Sequence, residues 1–293
     1  MENEVFIMKF KSLWKKAVLT ATATMMIGSA AFAATPAETY AEAAQNTITQ
    51  TAGEYTLHVD MSMPFIGSMN VNGVIDAQAL PTIQGKGTLH MTMAGKTMEP
   101  STVYIEQNGK TVTSYYSTTK DGQTTWKKRS QELKSETAAK DYLNEQHNVM
   151  DGVKSVSALG NDQYQVVFDS SRIYSKDTID TIKIKYGANE KAVDLTEKVL
   201  KALQQSDDIR TTVTIDPTTK KITNIALPMT PQLRQIALTV LDNANTSEAN
   251  QAVIRQFINN SDISLSIGIK DLPEGVNFTI PQDVKANAIS SNQ

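Results

Sequence analysis

The sequence predicts an α+β chain framed on an antiparallel sheet, and three observations carry that expectation. From Glu54 the pattern has period two: Tyr55, Leu57, Val59, Met61 and Met63 are apolar, and Glu54, Thr56, His58, Asp60 and Ser62 are polar. That is the alternation of a half-buried strand. Short turns join successive strand-like runs, and Asn108-Gly109 is a strong tight-hairpin signal. Helical periodicity then separates two β blocks, which differs from a regular β–α alternation and argues against a parallel sheet.

The elements follow in chain order. Lys9, Lys11, Lys15 and Lys16 form a basic n-region, residues 17–30 are apolar and small, and Ala31-Phe32-Ala33 fits a cleavage site. Residues 1–33 therefore read as a signal peptide, with Met1 or Met8 as the start. The apolar run is shorter than the roughly 20 residues a membrane span needs. Residues 34–52 read as a flexible lead-in, although 37–45 also admit a short helix. Strands are expected at about 54–63, 68–78, 85–94, 101–107, 110–118 and 123–127, with a turn at Lys120-Asp121-Gly122. A helix is expected from Glu136 to about Val149, then strands at about 153–159 and 163–168 joined by Gly160-Asn161-Asp162. Residues 175–185 read equally as helix or strand. The stretch 189–205 is amphipathic, with Ala192, Leu195, Val199 and Leu203 near one face. A hairpin turning at Pro217-Thr218-Thr219 follows, then helices at about 231–243 and 247–259, the second with Ser247 as its N-cap. The strand "DISLSIGIK" and the closing segment "FTIPQDVKANA" complete the chain. Residues 53–288 read as one α+β domain and 289–293 as a tail.

Composition removes several classes of function. There is no cysteine, so there is no lipobox, disulfide or thiolate metal site, and the mature chain is expected not to be lipid-anchored. Four Lys and two Glu leave with the leader, taking 28 basic and 31 acidic residues to 24 and 29, a net charge of −5. A nucleic-acid binder needs a basic field, so no nucleic-acid partner is expected. No second apolar stretch is long enough to span a membrane. The expected location is exported: extracellular, cell wall or periplasm.

"YTLHVDMSM", "GTLHMTM", the hairpin series "YIEQNGKTVTSYYSTTKDGQTTWKK", "VTIDPTTKKITNIAL" and "NFTIPQDVKANA" give the chain its family likeness. In these segments it resembles bacterial envelope proteins of LolA-like fold, both the LolA/LppX-like lipoprotein carriers and related Gram-positive lipoproteins of unknown function. The resemblance implies a strongly curved antiparallel sheet, an incomplete β-barrel, with helices covering its concave face. It also implies an apolar cavity between sheet and helices that takes acyl chains. It brings no catalytic residues, and the missing lipobox cysteine is a departure from many relatives.

Six of the eight methionines that follow the leader lie between Met61 and Met98. Residues i and i+2 of a strand share a face, so neighbouring strands are expected to present thioethers to one side. Methionine serves both as a core filler and as the lining of adaptable apolar surfaces, and both readings stand. In the second, the ligand-facing residues are Leu57, Val59, Met61, Met63, Met69, Val71, Leu89, Met91 and Met93, and the ligand is an apolar small molecule or acyl chain. The runs "HVDMSM" and "HMTM" also bear on a minor reading as a Cu(I) binder, because Cu(I) prefers soft ligands. Strand parity opposes it by placing His58 opposite Met61 and Met63, and His90 opposite Met91 and Met93. His58, His90 and His147 have no nucleophile partner or metal spacing, and no G-x-S-x-G, H-E-x-x-H or phosphate-binding glycine loop is present. No cofactor and no enzymatic activity are expected. Trp126 with Lys127 and Lys128 reads as strand-end packing, and Tyr115-Tyr116 as one ring on each sheet face. The function expected is apolar-ligand sequestration or transfer; the alternative is a cell-envelope module that binds a protein or polysaccharide and has a filled core.

Overall fold

The computed structural model describes residues 34–120, 122–144, 148–174, 190–244 and 246–290. Residues 1–33, read as a signal peptide, His147, the ambiguous stretch 175–185 and residues 291–293 lie outside them. Among the described residues there are thirteen strands and seven helices, and the sheet is large, curved and not closed. The expected α+β class with an open antiparallel sheet is thus what the protein has.

The chain opens with helix α1 (Pro36–Ile48). Seven strands follow: β1 (Ala52–Met63), β2 (Gly67–Gln78), β3 (Gln84–Met93), the two-residue β4 (Lys96–Thr97), β5 (Ser101–Asn108), β6 (Thr111–Lys120) and β7 (Gln123–Glu132). Helix α2 (Ala138–Asn144), strands β8 (Val153–Gly160) and β9 (Gln163–Phe168), the short α3 (Ser170–Ile173) and α4 (Glu190–Gln204) make the middle. Then come β10 (Ile209–Asp216), β11 (Lys221–Pro228), α5 (Thr230–Asp242), α6 (Glu248–Asn259), β12 (Asp262–Lys270), α7 (Gln282–Asn287) and β13 (Ile289–Ser290). Across the sheet the order is β13-β7-β6-β5-β3-β2-β1-β12-β11-β10-β9-β8, with β4 on β3. All pairs are antiparallel except β13 with β7. The two blocks read from the sequence are therefore joined side by side, with β1 against β12 in the register Tyr55↔Ile269, Leu57↔Ile267 and Val59↔Leu265.

Three expectations need correction. The lead-in is not a loose spacer: 36–48 is helical, and Tyr40, Ala43, Ala44 and Ile48 are buried. Thr35 accepts from the Glu38 amide while the Glu38 carboxylate accepts from the Thr35 amide, a capping box with Pro36 in the first turn. The burial spacing i, i+3, i+4, i+8 makes one helical stripe. Strand β7 runs to Glu132 rather than 127, because a polar strand is held by its partner: Thr111 Oγ1 donates to Glu132 at 2.6 Å, and Thr113 and Ser130 hydroxyls pair at 2.9 Å. Ile289 and Ser290, the first residues of the expected tail, form a strand pairing with Lys127 and Lys128.

The main core joins α1, α3 and α4 to β8–β11 through Tyr40, Val166, Phe168, Val199, Leu203, Val213 and Ile215, among others. Val213 faces Ile225, which faces Ile267, which faces Leu57, so this core sits on the same sheet face as the β1 apolar residues. The other face is covered at the opposite end of the sheet. There Tyr115, Tyr104 and Trp126 pack with Ile280, Val284 and Ala288 around α7. Tyr115 donates to Glu106 Oε1 at 2.9 Å, and Lys285 pairs with the other Glu106 oxygen. Trp126 therefore packs against Tyr104, ring centroids 5.7 Å apart, and Lys127 stays exposed.

Candidate functional site

Pairing register assembles the apolar residues of β1–β3 into cross-strand rows. Met61 faces Met69, which faces Met93; Val59 faces Val71, which faces Met91; Leu57 faces Gly73, which faces Leu89; Met63 faces Gly67 at the tip. Directly opposed residues project to the same side of a sheet. All nine residues read from the sequence as ligand-facing thus share one face. On β12 the rows continue as Ile263, Leu265 and Ile267.

Burial differs across these rows, and the most exposed large side chain is Met93. Leu265, Ile267 and Ile269 on β12 are buried, with Met229 at the start of α5 packed against the cluster. Their β1 partners Tyr55, Leu57 and Val59 are half-buried, as are Met69, Val71, Leu89 and Met91 beyond and Ile263 on β12; Gly73 and Gly87 between them are buried, and Met93 is 44% exposed. Helices cover this face over β8–β11 and much of β12 and leave it part-open over β1–β3. The result is an apolar shelf at the margin of the helical layer. Cover by helices is therefore partial, because α5 reaches β12 and α6 packs on α5, with no residue of α6 buried. Two polar atoms in the first turns of α5, Gln232 Oε1 and Arg234 Nε, are buried without a hydrogen-bond partner. They lie shortly after Thr230, whose hydroxyl accepts from the Ile263 amide at 2.7 Å, and Ile263 is the strand partner of Met61.

Glycines are set among the apolar residues of the shelf. Gly73 lies under Leu89, and Gly87 faces Ile75. A strand glycine lets a neighbouring side chain or backbone approach closely, which lets the shelf stay shallow.

The reverse face is polar. His58, Asn72 and His90 are opposed across β1–β3, as are Asp60, Asn70 and Thr92. His58 Nδ1 pairs with Asn72 Oδ1, and its Nε2 lies 2.6 Å from Asp60 Oδ2; Asn70 in turn donates to Asp60. Acceptors at both ring nitrogens favour the doubly protonated imidazolium. The Asn72 hydrogen bond above all, with the Asp60 charge and hydrogen bond, holds the His58 pKa above its ordinary 6.5 against slight burial. A raised folded-state value means the contribution to stability is fully present below the ordinary pKa. It is lost as pH rises through the raised one. The expected NMR titration of His58 has a midpoint above 6.5, and Asn72→Ala moves it downward. An unchanged midpoint would show that Asn72 is not the cause.

This geometry also separates the histidines from the methionines, so a copper site combining the two does not assemble in β1–β3. Among the described residues no cluster of three or more His, Asp or Glu has metal-site geometry.

The tip of the β1–β2 hairpin was not legible as a special feature. Phe65 is 93% exposed and has φ +66°. A bulky residue in the left-handed region costs about 1–2 kcal/mol. Phe65→Gly is therefore expected to raise stability by about 1 kcal/mol; urea unfolding checks it, and a loss of stability would contradict the backbone geometry. The signal in the sequence is Pro64-Phe65-Ile66-Gly67, large apolar residues where a turn ordinarily takes Asn, Asp, Ser or Gly.

Among the described residues no helix is long and apolar enough to cross a membrane. No family model matches the chain, and no curated protein matches it. Among solved structures it is similar to the crystal structure of LprF from Mycobacterium bovis. The identity is 9%, the TM-score 0.33, and the match covers 84% of this chain and 96% of that one.

Proposed function

We propose that the protein is an exported, non-enzymatic binding protein that holds an acyl chain or similar apolar ligand on the β1–β3 shelf, for sequestration or transfer. The observation that carries this reading is uneven cover: one continuous apolar face is buried at Leu265, Ile267 and Ile269 of β12 and left half-open over the methionine rows. An apolar face of that extent left part-open is the usual mark of a binding surface. Thioether side chains adapt to chains of differing shape. Each methylene taken from water supplies about 0.8 kcal/mol, so an acyl chain is held by burial alone and no covalent chemistry is needed.

Titration of the purified mature chain with a fluorescent fatty acid tests the reading. Saturable binding is expected, with competition by unlabelled fatty acid. Val71→Lys with Met91→Lys places two charges on the middle row and is expected to weaken binding at least about tenfold, since a lost acyl contact of 1.4 kcal/mol is already tenfold. No saturable binding, together with no lipid in native mass spectrometry of the envelope-purified protein, would refute it.

A further inference from the structure

The shelf runs out to two neighbouring turns that expose large apolar side chains. In the β1–β2 turn Phe65 is 93% exposed and Ile66 45%; beside it, Met93 and Met98 of the β3–β4 turn region are 44% and 52% exposed. The Ala94 amide donates to the Ser68 carbonyl at 2.8 Å and ties the two turns together, while the Met98 amide donates to the Met91 carbonyl at 2.8 Å and closes the second turn. Between Met61 and Asn70 there is no charged residue, and between Met91 and Met98 there is only Lys96.

We propose that these paired turns insert into the surface of a phospholipid bilayer. Phe65 packs against nothing that would account for it and sits at a left-handed φ where glycine or asparagine is the cheap choice. An aromatic ring and aliphatic neighbours projecting from a pair of joined hairpins, with Lys96 behind them, have the composition of an interfacial anchor. The apolar tips enter the acyl boundary, and the ammonium stays at phosphate level. No carboxylate lies between Met61 and Asn70 or between Met91 and Met98; the nearest is the exposed Glu99, after Met98 at the base of the second turn, so Lys96 is the charge nearest the tips that an anionic leaflet meets. Continuity gives the contact a purpose. Met63 faces Gly67 at the tip and Met61 faces Met69 just behind it, so an apolar path leads from the inserted turns into the shelf. That purpose, exchange of an acyl ligand with the bilayer, rests on the function proposed above; the contact itself rests only on the turns.

The test uses the mature chain and sedimenting vesicles of phosphatidylcholine with phosphatidylglycerol. The unaltered protein is expected to bind them. Phe65→Gly is expected to lower the partition constant about tenfold, the effect of withdrawing one large apolar side chain from lipid. Glycine suits the local φ, so this variant stays folded, and its affinity for the fluorescent fatty acid in solution is unchanged. Lys96→Glu is expected to weaken binding selectively as the phosphatidylglycerol fraction rises. Absence of vesicle binding, or equal binding by Phe65→Gly, overturns the proposal and points instead to a protein partner for the tip. Vesicle binding that needs Phe65 in a protein that takes no fatty acid supports the bilayer contact and refutes the ligand reading.

Discussion

Replacing Tyr40 by alanine is expected to cost about 3–5 kcal/mol, the largest loss from any single side chain of the N-terminal helix. Tyr40 is 2% exposed and packs in the main core with the β8–β11 face and α4. Truncating a buried aromatic loses the transfer energy of the ring and leaves a cavity the surroundings only partly fill. Burial also pushes the Tyr40 hydroxyl well above the ordinary phenol range, so the side chain acts as a neutral core group at every physiological pH. The helix is tied down at its other end as well: Thr47 Oγ1 accepts from the Ile222 amide at 2.8 Å, and Asn46 donates to the Lys220 carbonyl at 2.9 Å. Urea unfolding with circular dichroism measures the effect. A loss below about 1 kcal/mol would mean that 36–48 is an appendage after all, since surface changes stay within about half a kcal/mol.

Gly87→Ala is expected to destabilise by about 2–3 kcal/mol, although alanine in a strand interior normally gains a few tenths over glycine through chain entropy. A Cβ at Gly87 would stand 2.5 Å from the Val74 carbonyl oxygen and 2.9 Å from the Ile75 Cα. Both are backbone atoms of β2, so relief requires the β2–β3 pair to separate, which is the costly form of overpacking. Gly73→Ala is the control. Its Cβ would meet first the Leu89 Cδ2 at 2.4 Å, and a side-chain end can rotate away, so a loss of about 1 kcal/mol is expected. The order of the two variants in thermal or urea unfolding is the readout; the reverse order would mean that the sheet is not drawn together at Gly87. Because Gly87 lies on the shelf side of β3, opposite Ile75, its variant is also expected to perturb fatty-acid binding.

Much of the chain was legible where local chemistry decides. The 190–204 and 230–242 helices fall within a residue or so of their periodic patterns, and Ser247 is the N-cap residue of α6 as read. Gly109, with φ +57°, turns the β5–β6 hairpin. What was misread lay under weak or masked signals. The alanine-rich 36–48 looks like a spacer by composition, yet its capping box and the Tyr40–Ala43–Ala44–Ile48 stripe are both visible once sought. Strand β7 beyond Trp126 has no apolar alternation at all, and only its ladder with β6 makes it a strand. The hairpin tip at Phe65 is a departure from turn chemistry, and such local conflicts concentrate at functional positions.

For the shelf the division is sharper. Period-two geometry is a property of the backbone, so the sequence by itself determined that His58 and His90 part from Met61, Met63, Met91 and Met93. How much of the methionine face is covered was not written there. It depends on β1 pairing with β12, Glu54 against Lys270 at the far end of the chain, and on where α5 ends its cover. Side-chain parity is settled between adjacent residues, whereas burial is settled by elements some two hundred positions apart, and only their packing left the shelf part-open.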